Sequence, residues 1–240
     1  MVGRCDVLAV GAHPDDVDLG CAATVARLAI RGLRVGILDL TEGELGTRGD
    51  PATRRREAES AREALQAAWR SCLGLPDGGL QPGVDDQVAA VVGALRTGVP
   101  RAVLLPHPDD PHPDHGAAAA LLRRAVFLSG LPRWGGDLGP ASRPRLLLAY
   151  PGPRQLFTPA IVVDATGTYD RKRAALAAHV SQFVPSAGPP THLASGHFLA
   201  AIEGRDRACG NLIGTEFGEG FAAIDPIAAD EVAWLLGGSC

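Results

Sequence analysis

Apolar positions in the first half of the chain fall into two kinds of block. Short continuous runs, "DVLAVGAH" (6–13), "RVGILDLT" (34–41) and "RAVLLP" (101–106), have the length of buried strands. Longer stretches with interleaved polar residues, "GCAATVARLAIRG" (20–32), "ATRRREAESAREALQAA" (52–68), "GVDDQVAAVVGALRTG" (83–98) and "GAAAALLRRAVFLSG" (116–130), read as helices, the first ended by Gly32. Strand then helix, repeated, predicts an α/β fold with a mostly parallel sheet and helices on both faces. The second half is less regular. "RLLLAY" (145–150) and "AIVVDA" (160–165) are predicted strands. "YDRKRAALAAHVSQF" (169–183) and "FLAAIEGRDRACGNLIG" (198–214) are predicted helices, separated by the loop "VPSAGPPTH" (184–192). The Gly/Pro-rich region 130–144 is a weak boundary, so the pattern reads as one domain over 1–240.

Composition narrows the classes. With 46% hydrophobic and 21% charged residues, the 240-residue chain can bury a real core. A net charge of −4 offers no footprint for nucleic acid or an anionic membrane. No uninterrupted apolar run reaches the roughly 18 residues that span a bilayer. Cys5, Cys21, Cys72, Cys209 and Cys240 are odd in number and form no C-x-x-C pair. That argues against a disulfide framework or a structural zinc knuckle, and for the reducing cytoplasm.

The polar residues that a core cannot use are concentrated in two loops, each following a strand, where parallel sheets gather functional groups. The first is "GAHPDDVDLG" (11–20). His13 and Asp16 stand three residues apart, and Pro14 holds His13 extended. Asp15 and Asp16 are adjacent, so one carboxylate can bind a metal while the other faces the metal's open position. Aspartates at a helix N-terminus are also favoured by the helix dipole, which is the plain structural alternative. In the second loop, "HPDDPHPDHG" (107–116), His107, Asp110 and His112 each precede a proline. The backbone should stay extended to Pro113, with a helix starting near Asp114. His115 then falls in the first turn and His112 just outside it, which suits a ligand beside a catalytic group. An N-cap at Asp114 with solvated histidines is the alternative here. Two imidazoles and a carboxylate make a three-ligand set with an open position, as in catalytic zinc sites. The same set serves non-haem iron(II), so donor type leaves the metal open.

"AHPDDVDLG", followed about a hundred residues later by "HPDDPHPDH", resembles the LmbE/PIG-L family of zinc-dependent N-acetylglucosaminide deacetylases. "LDLTEGELGTRGDPATRRREA" (38–58), "SQF" (181–183) and "GTEFGEGF" (214–221) are similar to the branch that deacetylates N-acetylglucosaminyl malate in bacillithiol biosynthesis. The likeness runs over residues 5–222. It implies a Rossmann-like fold, a bound Zn2+ (or Fe2+), a small N-acetylated amino-sugar substrate and a homo-oligomer, often hexameric. It implies His13, Asp16 and His115 as metal ligands, Asp15 as general base, and His112 as a catalytic histidine oriented by Asp114. Arg54 is the implied substrate-binding arginine and Arg48 the second candidate. Two features depart from the family pattern. Asp18 stands where the first motif usually ends in Glu. Neither Tyr150 nor Tyr169 clearly matches the mobile tyrosine that some relatives use at the oxyanion.

The implied reaction is hydrolysis of an N-acetyl amide to a free amine and acetate. The metal polarises the carbonyl, Asp15 takes the water's proton, and His112 stabilises the oxyanion or protonates the leaving amine. Arg54 would hold a malate carboxylate. Deacetylation of another amino sugar, cleavage of a thiol-conjugate amide, an iron(II) enzyme and a metallophosphoesterase all fit the same donors. A nucleotide-binding domain is disfavoured, because no G-x-G-x-x-G follows the first strand. The remaining candidates have plainer readings: His107 and Asp109 at a loop rim, Asp110 as loop support, Cys21 in packing, and His179 on the surface or in packing. His192 and His197 flank a Gly/Pro loop that can line a pocket.

Overall fold

The structure, a computed structural model, describes residues 1–237; Cys240 lies outside them. Five parallel strands form most of one sheet: β1 (Val7–Gly11), β2 (Val35–Thr41), β3 (Trp69–Leu75), β4 (Ala102–Pro106) and β5 (Leu146–Tyr150). Two further strands, β6 (Ile161–Asp164) and β7 (Gly218–Ala223), complete the order β3-β2-β1-β4-β5-β7-β6, with β7 antiparallel to both neighbours. The helices are α1 (Asp16–Ile30), α2 (Pro51–Leu65), α3 (Asp85–Gly98), α4 (Pro113–Ser129), α5 (Tyr169–Ala178), α6 (Val180–Phe183), α7 (Phe198–Asn211) and α8 (Ala229–Leu236).

Continuous apolar runs in the strands follow from cover on both faces. Val7, Ala9, Ile37, Leu104 and Leu148 pack with Val25, Ala61, Leu65 and Ala175 of α1, α2 and α5. Their alternate neighbours Leu8, Val10, Leu38, Leu40, Val103 and Leu105 pack with Val88, Val92, Leu121 and Leu122 of α3 and α4. The predicted α/β architecture is the one observed.

Several elements differ from the sequence pattern. β3 is a sheet-edge strand of mostly half-buried residues, so it carries no clean apolar signal. β7 reads "GEGFAA", and two glycines suppress its strand signature. Gly218 is required there, because a Cβ would meet the Gly210 backbone nitrogen and Val162 Cγ1 at 2.8 Å. α8 is likewise absent from the pattern reading. The helix predicted over 169–183 is broken at His179, whose φ −82° and ψ 58° separate α5 from α6. His179 is also buried rather than superficial, and its Nε2 lies 2.9 Å from Asp18 Oδ2.

α1 begins at Asp16, not Gly20, and is interrupted at Cys21 (φ −149°, ψ 23°). Such a break strands backbone N–H groups that a continuous helix would satisfy. Glu219 of β7 supplies the missing acceptors: Ala23 N–H donates to Oε1 at 3.1 Å and Thr24 N–H to Oε2 at 2.6 Å. Lys172 of α5 neutralises this carboxylate at 2.8 Å and contacts Asp206 at 2.7 Å, with all three side chains buried. Part of the "GTEFGEGF" motif therefore has a structural task.

Candidate metal centre and active-site cavity

The loops that follow β1, β2, β3 and β4 meet at the carboxyl edge of the sheet. They enclose a cavity of about 530 Å³ lined by His13, Asp15, Asp16, Arg48, Arg54, His112, Asp114 and His115 among others. All eight side chains singled out from the sequence share this one space.

Three imidazoles converge. His13, His112 and His115 each offer a ring nitrogen, and these nitrogens lie within 4.8 Å of one another. Asp16 stands between two of the rings, with Oδ2 3.4 Å from His13 Nδ1 and Oδ1 3.0 Å from His115 Nε2. The His13 backbone N–H donates to Asp16 Oδ2 at 2.8 Å and fixes that carboxylate. The outer nitrogen of each ring faces another acid. His13 Nε2 lies 3.1 Å from Asp77 Oδ1 and 3.3 Å from Asp114 Oδ2. His115 Nδ1 lies 3.2 Å from Asp110 Oδ2. Ligand imidazoles are usually backed in this way, so the residues present fit a divalent metal.

The electrostatics agree with that fit. Burial works against charge on His13, but Asp16, Asp114 and Asp77 outweigh it and push the imidazole up to about 12. Burial likewise opposes charge on His115, and Asp16 and Asp110 push it up to about 10. Burial opposes charge on Asp16, but His115 and His13 outweigh it and hold the carboxylate well below its usual range. His112 moves the other way: burial, then the charges on His115 and His13, hold it below its ordinary value. The cluster therefore draws positive charge to His13, Asp16 and His115, while His112 is shifted the other way.

Several expected contacts are replaced by others. His112, not Asp114, is the N-cap of α4, and Pro113 follows at the first helical position. The Asp114 backbone N–H donates to His112 Nδ1 at 3.2 Å, so the ring's proton is on Nε2. The Asp114 carboxylate, expected to orient His112, instead faces His13 and accepts from Gly78 N–H at 2.8 Å. Asp110 supports its loop by accepting from the His112 backbone N–H through Oδ1 at 2.8 Å, and its Oδ2 lies 3.2 Å from His115 Nδ1 without a hydrogen bond between them.

Arg54 is buried beneath the glycine loop. It donates to Gly43 O at 2.8 Å and to Asp15 Oδ1 at 3.3 Å. Gly43 makes this possible: its φ is +67°, and a Cβ there would fall 1.8 Å from Arg54 Nη1. Arg48 is also buried and donates through Nη2 to Val184 O at 2.6 Å, while Nε and Nη1 have no protein partner.

His192 lines the cavity, and His197 is not among its lining residues. Tyr150 donates to Val10 O at 2.7 Å, and Tyr169 donates to Asp206 at 3.0 Å. Neither tyrosine lines the cavity, so the oxyanion tyrosine of some relatives has no counterpart in it. Sequence reasoning missed Asp77 and Gly78, which arrive from the "PDGG" turn after β3. That turn carries neither motif, and its only signal was an acidic residue beside two glycines.

Comparison with known proteins places this geometry. The family model described as "PIG-L: GlcNAc-PI de-N-acetylase" matches residues 8–126. Diacetylchitobiose deacetylase of Thermococcus kodakarensis is 32% identical over 187 residues, covering 74% of this chain and 70% of that protein. The chain belongs to the PIG-L family. The uncharacterized deacetylase YaiS of Escherichia coli is 32% identical over 117 residues, covering 47% of this chain and 63% of YaiS, less than two thirds of that relative. Among solved structures, the conserved protein TT1542 from Thermus thermophilus matches with a TM-score of 0.83 and 38% identity, covering 94% of this chain and 97% of that one. Among the described residues of this PIG-L chain, no helix is long and apolar enough to cross a membrane.

Proposed function

We propose that this PIG-L family member is a metal-dependent deacetylase that hydrolyses the N-acetyl amide of a small glucosamine derivative. The observation that carries the reading is the convergence of His13, His112 and His115 within 4.8 Å, in the cavity that also holds Asp15 and Asp16. His13, Asp16 and His115 are the proposed ligands, because Asp16 stands between those two rings and a carboxylate lies against the outer nitrogen of each. The metal, proposed as Zn2+, supplies Lewis-acid polarisation of the acetyl carbonyl and acidifies water. Asp15, held at Oδ1 by Arg54, takes the proton of the attacking water. His112 donates a hydrogen bond from its Nε2 proton to the developing oxyanion, and Asp15 passes the proton it took from water to the leaving amine.

The finer substrate reading is a glucosaminide with an anionic aglycone, of which N-acetylglucosaminyl malate is the proposed case. Its support is Arg48, with two buried and unpartnered guanidinium nitrogens in the cavity wall. The test combines metal analysis of the purified protein with amine release from three substrates: N-acetylglucosaminyl malate, N,N'-diacetylchitobiose and N-acetylglucosamine. Preference for the malate conjugate is expected. Preference for the neutral disaccharide would replace the anionic substrate and keep the deacetylase. Amine release from none of them, with metal present, would overturn the activity.

A further inference from the structure

The turn after β3 brings one more group to the proposed metal centre. Asp77 lies outside both histidine motifs, and its side chain is 9% exposed. Its two oxygens serve different elements. Oδ1 accepts from His13 Nε2 at 3.1 Å, and Oδ2 accepts from the Leu45 backbone N–H at 2.9 Å in the glycine loop. The Asp77 backbone N–H donates to Glu44 Oε1 of the same loop at 2.8 Å. The neighbouring Gly78 N–H holds Asp114, the second acceptor for His13 Nε2.

We propose that Asp77 is a positioning residue for the metal ligand His13 and ties that ligand to the glycine loop of the cavity wall. Tautomer and direction decide this role, which rests on His13 being a metal ligand as proposed. A proton kept on Nε2 by Asp77 leaves the Nδ1 lone pair free, and Nδ1 is the nitrogen on the Asp16 side. At His115 the acids lie on the opposite nitrogens, with Asp110 3.2 Å from Nδ1 outside hydrogen-bond alignment and Asp16 3.0 Å from Nε2. Carboxylates that back a ligand imidazole fix its ring orientation, and losing one typically weakens metal binding about 10–100-fold. The same atoms admit a competing arrangement, in which His13, Asp77 and Asp114 hold a second cation. A neutral imidazole binds one metal through one nitrogen, so stoichiometry separates the two.

The experiment uses the full chain, the variants Asp77→Ala and Asp77→Asn, and Asp86→Asn as an exposed control of equal charge change. Zn2+ stoichiometry and Kd are read by chelator competition, and Co2+ loading is followed through its ligand-field absorption. One Zn2+ per chain is expected in every protein. Kd should weaken about 10–100-fold in Asp77→Ala, with Asp86→Asn unchanged. Asp77→Asn is near-isosteric and guards against a folding failure; it keeps one acceptor, so its Kd should fall between the two and its Co2+ bands should shift. Unchanged Kd and Co2+ spectrum in Asp77→Asn and Asp77→Ala would overturn the proposal while leaving the metal reading intact. Two Zn2+ in the parent chain and one in the variants would overturn it in favour of a second cation. A parent chain that takes up no divalent metal at millimolar concentration would sink the metal reading itself, and this proposal with it.

Discussion

Arg54 and Arg48 line the same cavity, yet their guanidinium groups are occupied differently. Arg54 is engaged through both terminal nitrogens by Gly43 O and Asp15 and leaves only Nε unpaired, whereas Arg48 keeps Nε and Nη1 unpaired. Their substitutions should separate in kinetics. Arg54→Gln is expected to lower kcat about 10-fold or more on neutral and anionic substrates alike, because it loosens the base. Arg48→Gln should raise KM about 10-fold for anionic conjugates only, the worth of one charged hydrogen bond. Steady-state kinetics on a matched pair of substrates decides, and the assignment fails if both variants show the same split. Asp15→Asn should keep metal content and lose about 10²–10⁴-fold in kcat, since general-base catalysis is worth that much. Metal content is the readout that distinguishes loss of a base from loss of a ligand. At this scale the sequence marks which residues gather, because histidine and aspartate at strand ends have no role in a core. It does not mark which acceptor each donor meets. Asp114 turning to His13 and Arg54 pairing with Asp15 both depend on loops far apart in the chain.

The elements that the pattern misses are the ones whose reasons lie in other elements. β7 carries glycines because helix α7 and β6 press against it, and α1 tolerates a break because Glu219 caps its second half. Buried strands and amphipathic helices of the first half were legible because their periodicity is local. Glu219→Gln tests the dependence. The amide offers one acceptor oxygen where two N–H groups donate, and Lys172 is left with Asp206 alone. Breaking a buried pair typically costs about 3–5 kcal/mol. For a chain of this size that is a Tm lower by about 6–20 °C. Thermal unfolding of the metal-free protein measures it, and an unchanged Tm would remove the capping argument.

At the scale of the whole molecule, two linkages tie the site to stability. The first is a buried charge cluster under the β1 loop: Arg70 of β3 pairs with Asp18 and Asp39 at 2.8 Å each, and His179 meets Asp18. Burial opposes charge on Asp18, but Arg70 and His179 outweigh it and hold the carboxyl below its ordinary value. Asp39, across the same guanidinium, is raised by burial and works in the opposite sense. A carboxyl depressed in the folded state stabilises above the unfolded value, near ~4, and that contribution fades as pH falls through the folded value. Asp18→Asn should therefore be less stable than the parent at pH 7, with the gap closing below about pH 4; a gap that persisted in acid would refute the linkage. The second linkage is the proposed metal. Its donors come from the β1 and β4 loops, about a hundred residues apart in sequence, and only the folded sheet brings them together. A ligand that binds the native chain and not the unfolded one stabilises by about 2.7 kcal/mol at a concentration 100 times its Kd. For a chain this long, that is a rise in Tm of about 5–11 °C when Zn2+ is returned to chelated protein. His115→Ala should abolish the rise, because the ligand set is incomplete. Asp15→Asn should keep it, because the base touches water rather than holding the site together. Calorimetry on the three proteins, with and without chelator, checks both. A full Zn2+ shift in His115→Ala would mean that the metal is held elsewhere, and loss of the shift in Asp15→Asn would move Asp15 from base to ligand.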